Sequence, residues 1–235
     1  MEFPFDQFPA LSALGICRHV FTERIPGIDR VPAGHDKAEV RQRLDVAHWE
    51  IRKAIGVGDW PLFTAQQIHG NKIAVVDGCS HGPLGHEFPG CDGLITNQRG
   101  IALGIYVADC CAVYIVDPKT SAVGLVHSGR KGTELGVVTN AIEQMIDRFG
   151  SDPANISVQL SPCIRPPHYE IDFAAEIVRQ CRAVGVKEIH DLRICTACDL
   201  NRYYSYRAEK GKTGRMLALM GLNRMIENWA KNVCF

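Results

Sequence analysis

Apolar residues recur at helical spacing in four segments of the chain. From Asp36 to Ile55 they fall at Val40, Leu44, Ala47, Ile51 and Ile55, and Gly56 follows as a typical C-terminal cap. Similar patterns predict a helix over Thr133–Phe149, a helix capped by Asp172 that ends near Gly185, and a last helix from about Thr213. This last helix would carry Leu219, Leu222, Ile226, Trp229 and Val233 on one face.

Short apolar runs between these segments predict strands at Lys72–Val76, Gly93–Thr96, Ile101–Val107, Val113–Val116, Ala122–Val126 and Ile156–Leu160. Only a few residues separate the middle runs, so we expect those strands to pair as neighbours, largely antiparallel. The strands cluster instead of alternating strictly with helices. This favours an α+β class: a layered α-β sandwich with a central mixed, largely antiparallel sheet and flanking helices. No linker-like segment divides the sequence, so we expect one domain over residues 1–235.

Charge and cysteine content narrow the classes of function. The 235 residues include 26 basic and 26 acidic side chains, and this balance argues against a nucleic-acid polymer or a membrane surface as partner. No apolar run is long enough to span a bilayer, and the N-terminal segment lacks the charge pattern of a signal peptide. The ten cysteines lack the spacing of a secreted disulfide framework. We therefore expect reduced thiols and a cytoplasmic protein.

Three segments place polar residues at the ends of apolar runs: Gln67–Gly70, Ala108–Cys111 and His127–Gly132. Together His69, Cys110 and His127 offer two nitrogens and one sulfur, a set that suits a catalytic Zn²⁺ with an open fourth position. The separations of these residues do not identify a zinc site, and each residue by itself is more typical of ordinary core or surface structure than of a metal ligand. A Cys–His hydrolase with Cys110 as nucleophile and His127 as base, or a non-catalytic zinc-stabilised binding module, also fits them.

The third segment has a further property. Its sequence, HSGRKG, brings the cations Arg130 and Lys131, the backbone of Gly132 and a helix start to one place, which favours phosphate or another anion. Asp109 precedes Cys110 and is a candidate either for moving a proton or for orienting the turn. Cys195 and Cys198 form a CxxC pair, but with no second CxxC we interpret it as chance proximity in a cysteine-rich chain.

Seven short elements, in order along the chain, resemble the laccase-domain family, also called multicopper polyphenol oxidase-like. They are an HxFxTR-like stretch at 19–24, QxHG at 67–70, DGLxT at 92–96, ADC at 108–110, a HAGWRG-like element at 127–132, a GPCI-like element at 161–164, and a late CT…SYR…TGR pattern at 195–196, 205–207 and 213–215. Bacterial members of this family are purine nucleoside phosphorylases with adenosine deaminase activity. The oxidase name finds little support in this chain, because it contains no His-x-His pair of the kind multicopper oxidases need.

The resemblance implies a zinc-dependent enzyme with His69, Cys110 and His127 as ligands. It implies phosphorolysis of adenosine, inosine, guanosine and methylthioadenosine, with phosphate as co-substrate, and deamination of adenosine. Asp109 is then a further catalytic candidate. The implied substrate- and phosphate-binding residues are Arg24, Gln67, Arg130, Lys131, Gly132 and Arg207.

The chain departs from the family pattern at several positions. Arg130 and Lys131 replace the usual Trp and Arg of HAGWRG, Ala112 replaces a proline, and Ser161 replaces the first glycine of GPCI. Lysine still offers a point charge to phosphate but lacks the bidentate fork of arginine. These changes leave the three proposed ligands in place and bear on substrate choice and rate.

Overall fold

The computed structural model describes residues 3–25, 27–28, 37–77 and 85–224. Its helices are α1 Pro9–Ala13, α2 Lys37–Ala54, α3 Arg130–Glu134, α4 Val137–Phe149 and α5 Phe173–Ala183. Its strands are β1 Phe5–Asp6, β2 Cys17–Thr22, β3 Leu62–Ala65, β4 Ile73–Val75, β5 Gly85–Phe88, β6 Gly93–Thr96, β7 Ala102–Val107, β8 Cys111–Asp117, β9 Ala122–Ser128, β10 Ser157–Leu160, β11 Glu188–Asp191 and β12 Met216–Leu222.

These strands form two six-stranded sheets. The order in the first is β1-β2-β12-β7-β3-β5 and in the second β11-β10-β8-β9-β6-β4. Most neighbours are antiparallel, whereas β3 is parallel to both β5 and β7, β4 to β6, and β10 to β11. The predicted α+β class with mixed, largely antiparallel pairing is confirmed, but the strands divide between two sheets instead of forming one central sheet.

Alternation along β8 explains how the layers pack. Ala112, Tyr114 and Val116 point into a core shared with α2 and the first sheet, whereas Val113 and Ile115 point into a second core with α4 and α5. Successive strand residues face opposite sides of a sheet, so a strand between two cores is apolar at every position. The second sheet therefore lies between the first sheet and the helices α4 and α5.

The predicted helix from about Thr213 is wrong over the residues described. Met216–Leu222 is a strand that pairs with β2 on one side and β7 on the other. The run MLALMGL is apolar throughout and buried at every position, as a central strand is, and such a run cannot be told from a buried helix by periodicity. A Cβ at Gly221 would come within 2.1 Å of the Ile101 carbonyl oxygen, so this close approach requires glycine. Ile226, Trp229 and Val233 lie outside the described residues.

Other sequence-based predictions hold only in part. The helix expected over Thr133–Phe149 is two helices, α3 and α4, separated at Gly136, which has a φ of +70°. Asp172 caps α5 by accepting the Ala175 N–H at 3.0 Å. The runs at Ile101–Val107 and Val113–Val116 form strands, but the expectation that these two pair as neighbours is wrong. β7 belongs to the first sheet, between β12 and β3, whereas β8 pairs with β9 in the second.

Several strands escaped the sequence patterns, namely β1, β2, β3, β5, β11 and β12. Most of these are short or contain polar residues, so their apolar signal is weak. Nothing in the described helices is long and apolar enough to cross a membrane. The single domain over residues 1–235 stays a prediction.

Candidate metal centre and cavity

Three chain segments bring His69, Cys110 and His127 together. His69 lies in the loop after β3, Cys110 in the turn between β7 and β8, and His127 near the end of β9. The ligating atoms of the three side chains all lie within 4.8 Å of one another. Cys110 Sγ is 3.9 Å from His69 Nε2, and the two imidazole rings meet edge to face at 4.8 Å between centroids. The structure therefore places the predicted ligand set in one cluster.

Asp92 holds two members of this cluster in place. Its carboxylate is fully buried and accepts four hydrogen bonds. Oδ1 accepts the His69 N–H at 2.8 Å and lies 2.9 Å from His127 Nδ1, while Oδ2 accepts the N–H groups of Ile68 and Gly70 at 3.2 and 2.7 Å. A carboxylate that holds one imidazole nitrogen turns the other, Nε2, toward the ligand cluster. Asp92 thus couples the orientation of His127 to the course of the His69 loop.

The backbone around the cluster adopts conformations that non-glycine residues seldom use. Gln67, His69 and Asp109 have φ values of 61°, 62° and 82°. Such left-handed residues cost of order 1–3 kcal/mol each and persist where the surroundings hold them. Gly129 serves a different purpose, because a Cβ there would lie 2.6 Å from Cys110 Sγ. Only glycine leaves room for the thiol beside the two histidines.

The protonation states of Cys110 and His127 depend on each other. Burial by itself would raise the pKa of the Cys110 thiol, but the charge and hydrogen bonds of His127 and His69 lower it to about 6. Burial would lower the pKa of His127, but the Cys110 thiolate and the Asp92 carboxylate raise it to about 9. Near neutral pH the pair therefore favours a thiolate beside a cationic imidazole when no metal is bound. Thiolate is the form of cysteine that ligates metals.

The cluster opens into a cavity of about 570 Å³, which is in the size range of small-molecule sites. Aromatic and basic side chains line this cavity together with His69, Cys110 and His127. The aromatic ones are Tyr106, Tyr169, Phe173 and Tyr206, and the basic ones are Arg130, Arg207, Lys210 and Arg215. The cavity can therefore hold a ligand with both a flat apolar ring and a negative charge.

The predicted substrate-binding cations divide into two groups. Arg130 and Arg207 line the cavity, where Arg130 pairs with Glu134 at 2.9 Å and Arg207 pairs with Glu170. Arg24 does not line it: its guanidinium is ion-paired to Glu209 at 2.8 Å and stacks on Tyr204 at 4.5 Å. The structure thus shows Arg24 in a structural setting away from the cluster.

Lys131 and Gly132 also lie outside the cavity lining. Lys131 is exposed, and Gly132 is buried against the loop that carries His69, where its ideal Cβ would be 3.3 Å from the Gly70 carbonyl oxygen. The helix they were expected to open, α3, is only five residues long. The predicted anion site at this helix start therefore reduces to Arg130, which the turn directs to the cavity rim.

Gln67 and Asp109 line the cavity, yet their polar atoms already bond to the protein. The Gln67 amide donates to the Tyr106 carbonyl at 2.6 Å and accepts the Tyr106 N–H at 2.9 Å. The side chain therefore pairs with the backbone of β7 as a residue of a neighbouring strand would. Asp109 accepts the Thr196 hydroxyl and the Arg207 N–H, both at 2.7 Å. Of the two roles expected for Asp109, these bonds favour orienting the turn.

Sequence patterns assign no separate role to several residues of the site. Asp92 belongs to the DGLxT element, and a carboxylate at the start of an apolar strand is a signal that it bonds to a buried group. Tyr169, Phe173 and Lys210 carry no local pattern that separates them from ordinary residues. Residues 79–90 lie partly outside the described residues, and His86, which belongs to β5, packs on Phe88 without lining the cavity.

The cluster suits a zinc ion by donor type and spacing. With Zn–S near 2.3 Å and Zn–N near 2.0–2.1 Å, two ligand atoms at a tetrahedral angle lie roughly 3.6 Å apart. The 3.9 Å between Cys110 Sγ and His69 Nε2 is close to that separation. Three protein ligands beside an open cavity match the arrangement of catalytic sites, which keep one position for water or substrate.

Fold and site together define an α+β protein with two mixed sheets and a His-Cys-His metal-type cluster in the wall of a ligand-sized cavity. The sequence profile of the family described as "Multi-copper polyphenol oxidoreductase laccase" matches residues 18–177 and 168–223. The chain therefore belongs to this family, as its motifs indicated.

Curated relatives of the chain are named as purine nucleoside phosphorylases, not as oxidoreductases. The chain is 28% identical to "Purine nucleoside phosphorylase ORF3" of Streptomyces griseus, over 89% of this chain and 96% of that protein. It is 29% identical to "Purine nucleoside phosphorylase YlmD" of Geobacillus stearothermophilus, over 80% of each chain.

Solved structures agree on the fold. The crystal structure of YlmD from Geobacillus stearothermophilus superposes with a TM-score of 0.77 at 24% identity, over 94% of this chain and all of that one. The Bacillus licheniformis hypothetical protein YfiH superposes with a TM-score of 0.75 at 25% identity, over 88% of this chain and 93% of that one.

Proposed function

We propose that the protein is a zinc-dependent purine nucleoside phosphorylase that also deaminates adenosine. The observation that carries this proposal is the joining of one metal-type cluster, several aromatic rings and several cations in a single cavity. The names of the curated relatives support the same substrate class. Adenosine, inosine, guanosine and methylthioadenosine are the substrates we expect.

The cavity residues divide the work of binding. Tyr169, Phe173 and Tyr206 offer flat surfaces on which a purine ring can pack. Arg130, Arg207, Lys210 and Arg215 offer positive charge for phosphate. Because Arg215 is also anchored by the carbonyls of Thr213 and Gly214 at 3.1 and 2.7 Å, its charge keeps a defined position.

In phosphorolysis a phosphate oxygen bonds to ribose C1′ as the C1′–N9 bond breaks, and the electron pair leaves with the purine. Cations that hold phosphate in line with C1′ lower the barrier by orientation and by neutralising charge. Zinc bound by His69, Cys110 and His127 would supply Lewis-acid chemistry, stabilising negative charge on oxygen and lowering the pKa of water. Asp92 keeps the proton on His127 Nδ1, and Asp109 keeps the backbone of Arg207 beside the cluster.

The deciding assay is base release from inosine and adenosine by the zinc-loaded protein, with and without phosphate, followed by chromatography. We expect hypoxanthine or adenine only with phosphate, and phosphate-independent conversion of adenosine to inosine and ammonia. Cys110→Ala should abolish both reactions. Cys111→Ala is the matched control, because that thiol points into the second core and not to the cavity.

Three outcomes would overturn the proposal. Full turnover by Cys110→Ala would remove the cluster from the reaction. Turnover that needs Cys110 but no metal, together with alkylation of this thiol, would indicate the Cys–His hydrolase. Binding of nucleoside or zinc with no product over hours would indicate a binding module.

A further inference from the structure

A second cluster of soft ligands lies on the chain, and it shares no residue with the first. It consists of His168, Cys195 and Cys198, whose ligating atoms all lie within 4.8 Å of one another. His168 Nδ1 is 3.7 Å from Cys195 Sγ and 3.6 Å from Cys198 Sγ. In sequence, the two cysteines are only a CxxC pair. The fold adds a histidine that lies some thirty positions earlier.

These distances match a metal site. Two ligand atoms around a tetrahedral zinc ion, one sulfur and one nitrogen, lie roughly 3.6 Å apart. Both sulfur-to-nitrogen distances of the second cluster fall within 0.1 Å of that separation. They are closer to it than the 3.9 Å between Cys110 Sγ and His69 Nε2 in the first cluster. Two thiolates and one imidazole are a donor set that zinc commonly takes in proteins.

Backbone hydrogen bonds hold the two segments that carry these ligands next to each other. Thr196 donates its N–H to the Cys163 carbonyl at 3.2 Å, and Cys163 donates to Ile194 at 3.2 Å, so the segment before His168 runs beside the segment that carries the cysteines. The Cys198 N–H bonds to the Cys195 carbonyl at 3.1 Å in a short 3-10 turn. The ligands are therefore arranged before any metal arrives, which reduces the ordering cost of binding.

Exposure decides how a metal would enter. Cys195 is buried, whereas His168 and Cys198 are exposed. One side of the cluster therefore faces solvent, where water can serve as the fourth ligand. The other three ligands are the protein side chains: metal binding uses the neutral form of a histidine and releases a proton from each thiol.

We propose that His168, Cys195 and Cys198 bind a second zinc ion, separate from the one expected at His69, Cys110 and His127. It would fasten the turn after Arg165 to the CxxC turn. Both turns reach the cavity wall: Tyr169 follows His168 and lines the cavity, and Thr196 donates to Asp109 at 2.7 Å. The second ion would thus stiffen the wall without touching substrate.

The test measures zinc per chain by mass spectrometry after dialysis against a zinc buffer. A Cys110→Ala background removes the only sulfur of the first site, so the outcome does not depend on whether the proposed enzyme activity is correct. We expect about one zinc per chain in this background, and two without it. Adding Cys198→Ser or His168→Asn should lower the content to about zero. His190→Asn, a half-exposed histidine outside both clusters, is the matched control and should change nothing.

Cobalt supplies an independent signature. Co²⁺ bound in the Cys110→Ala background should show thiolate-to-metal charge transfer that Cys198→Ser removes. Zinc content unchanged by both Cys198→Ser and His168→Asn would overturn the proposal. So would a Cys195–Cys198 disulfide in freshly purified protein that binds no metal after reduction.

Discussion

The carboxylate of Asp92 offers the sharpest test of how this site is held together. In Asp92→Asn one oxygen becomes an amide NH₂, which cannot accept a hydrogen bond. The four groups that now donate to Asp92 are His127 Nδ1 and the N–H groups of residues 68–70. About half of them lose their acceptor whichever way the amide turns.

Two magnitudes follow from this loss. A buried donor without a partner costs about 1–3 kcal/mol, so two of them, partly relieved by relaxation, should lower the free energy of unfolding by about 2–4 kcal/mol. Loss of the carboxylate that orients a ligand histidine typically costs 10–100-fold in metal affinity. We expect both effects in Asp92→Asn, measured by urea unfolding of the metal-free protein and by zinc competition with a chelator.

Asp117→Asn separates the two effects. Asp117 is equally buried, and its carboxylate accepts the Lys119 N–H at 2.9 Å and the Thr120 hydroxyl at 2.8 Å in a turn between β8 and β9. The Asp117→Asn variant should therefore unfold at a lower urea concentration than the parent protein but bind zinc with the same affinity. If Asp92→Asn also keeps its zinc affinity while losing stability, Asp92 supports only the loop and the reasoning about His127 is refuted.

Three further substitutions test other parts of the structure. Gly129→Ala should weaken zinc binding at least tenfold in the same chelator assay, because its Cβ would lie 2.6 Å from Cys110 Sγ; unchanged affinity would mean that the thiol has room to move. Burial lowers the pKa of His19 from 6.5 to about 4, so the unfolded chain binds a proton first as the pH falls. Stability should therefore decrease from pH 6.5 to pH 4, with His19 contributing about 3 kcal/mol, and urea titrations of His19→Gln should lack that part of the decrease. Tyr114→Phe removes a buried hydroxyl that donates from the second sheet to the Val20 carbonyl in the first at 2.7 Å, and it should cost about 1–2 kcal/mol of unfolding free energy. Equal stability of this variant and the parent would show that the bond does not help to join the sheets.

The pattern of apolar residues was sufficient to predict the helices α2, α4 and α5. Each of these helices buries one face, and the apolar residues of that face recur every 3.6 residues. It was also sufficient for strands such as β8 and β9, whose continuous apolar runs are bounded by turns. It failed at β12, where a run buried on both faces has no period to distinguish strand from helix. Only pairing with β2 and β7 decides that Met216–Leu222 is extended.

The candidate site divides in the same way. The sequence alone determined which residue types are available, and the motifs around His69, Cys110 and His127 marked these as ligands through family resemblance. What only the tertiary structure decided is which polar groups are already occupied. Arg24 is ion-paired away from the cavity, whereas Asp92 proves to be the carboxylate that orients His127.

The same division holds for Cys195 and Cys198, which acquire a third ligand only when His168 folds against them. The physical reason is that hydrogen bonds, ion pairs and metal ligation act over about 2–4 Å between atoms that are distant in sequence. Periodicity in the sequence predicts which face of a helix or strand is buried, but it does not predict which residues that face contacts.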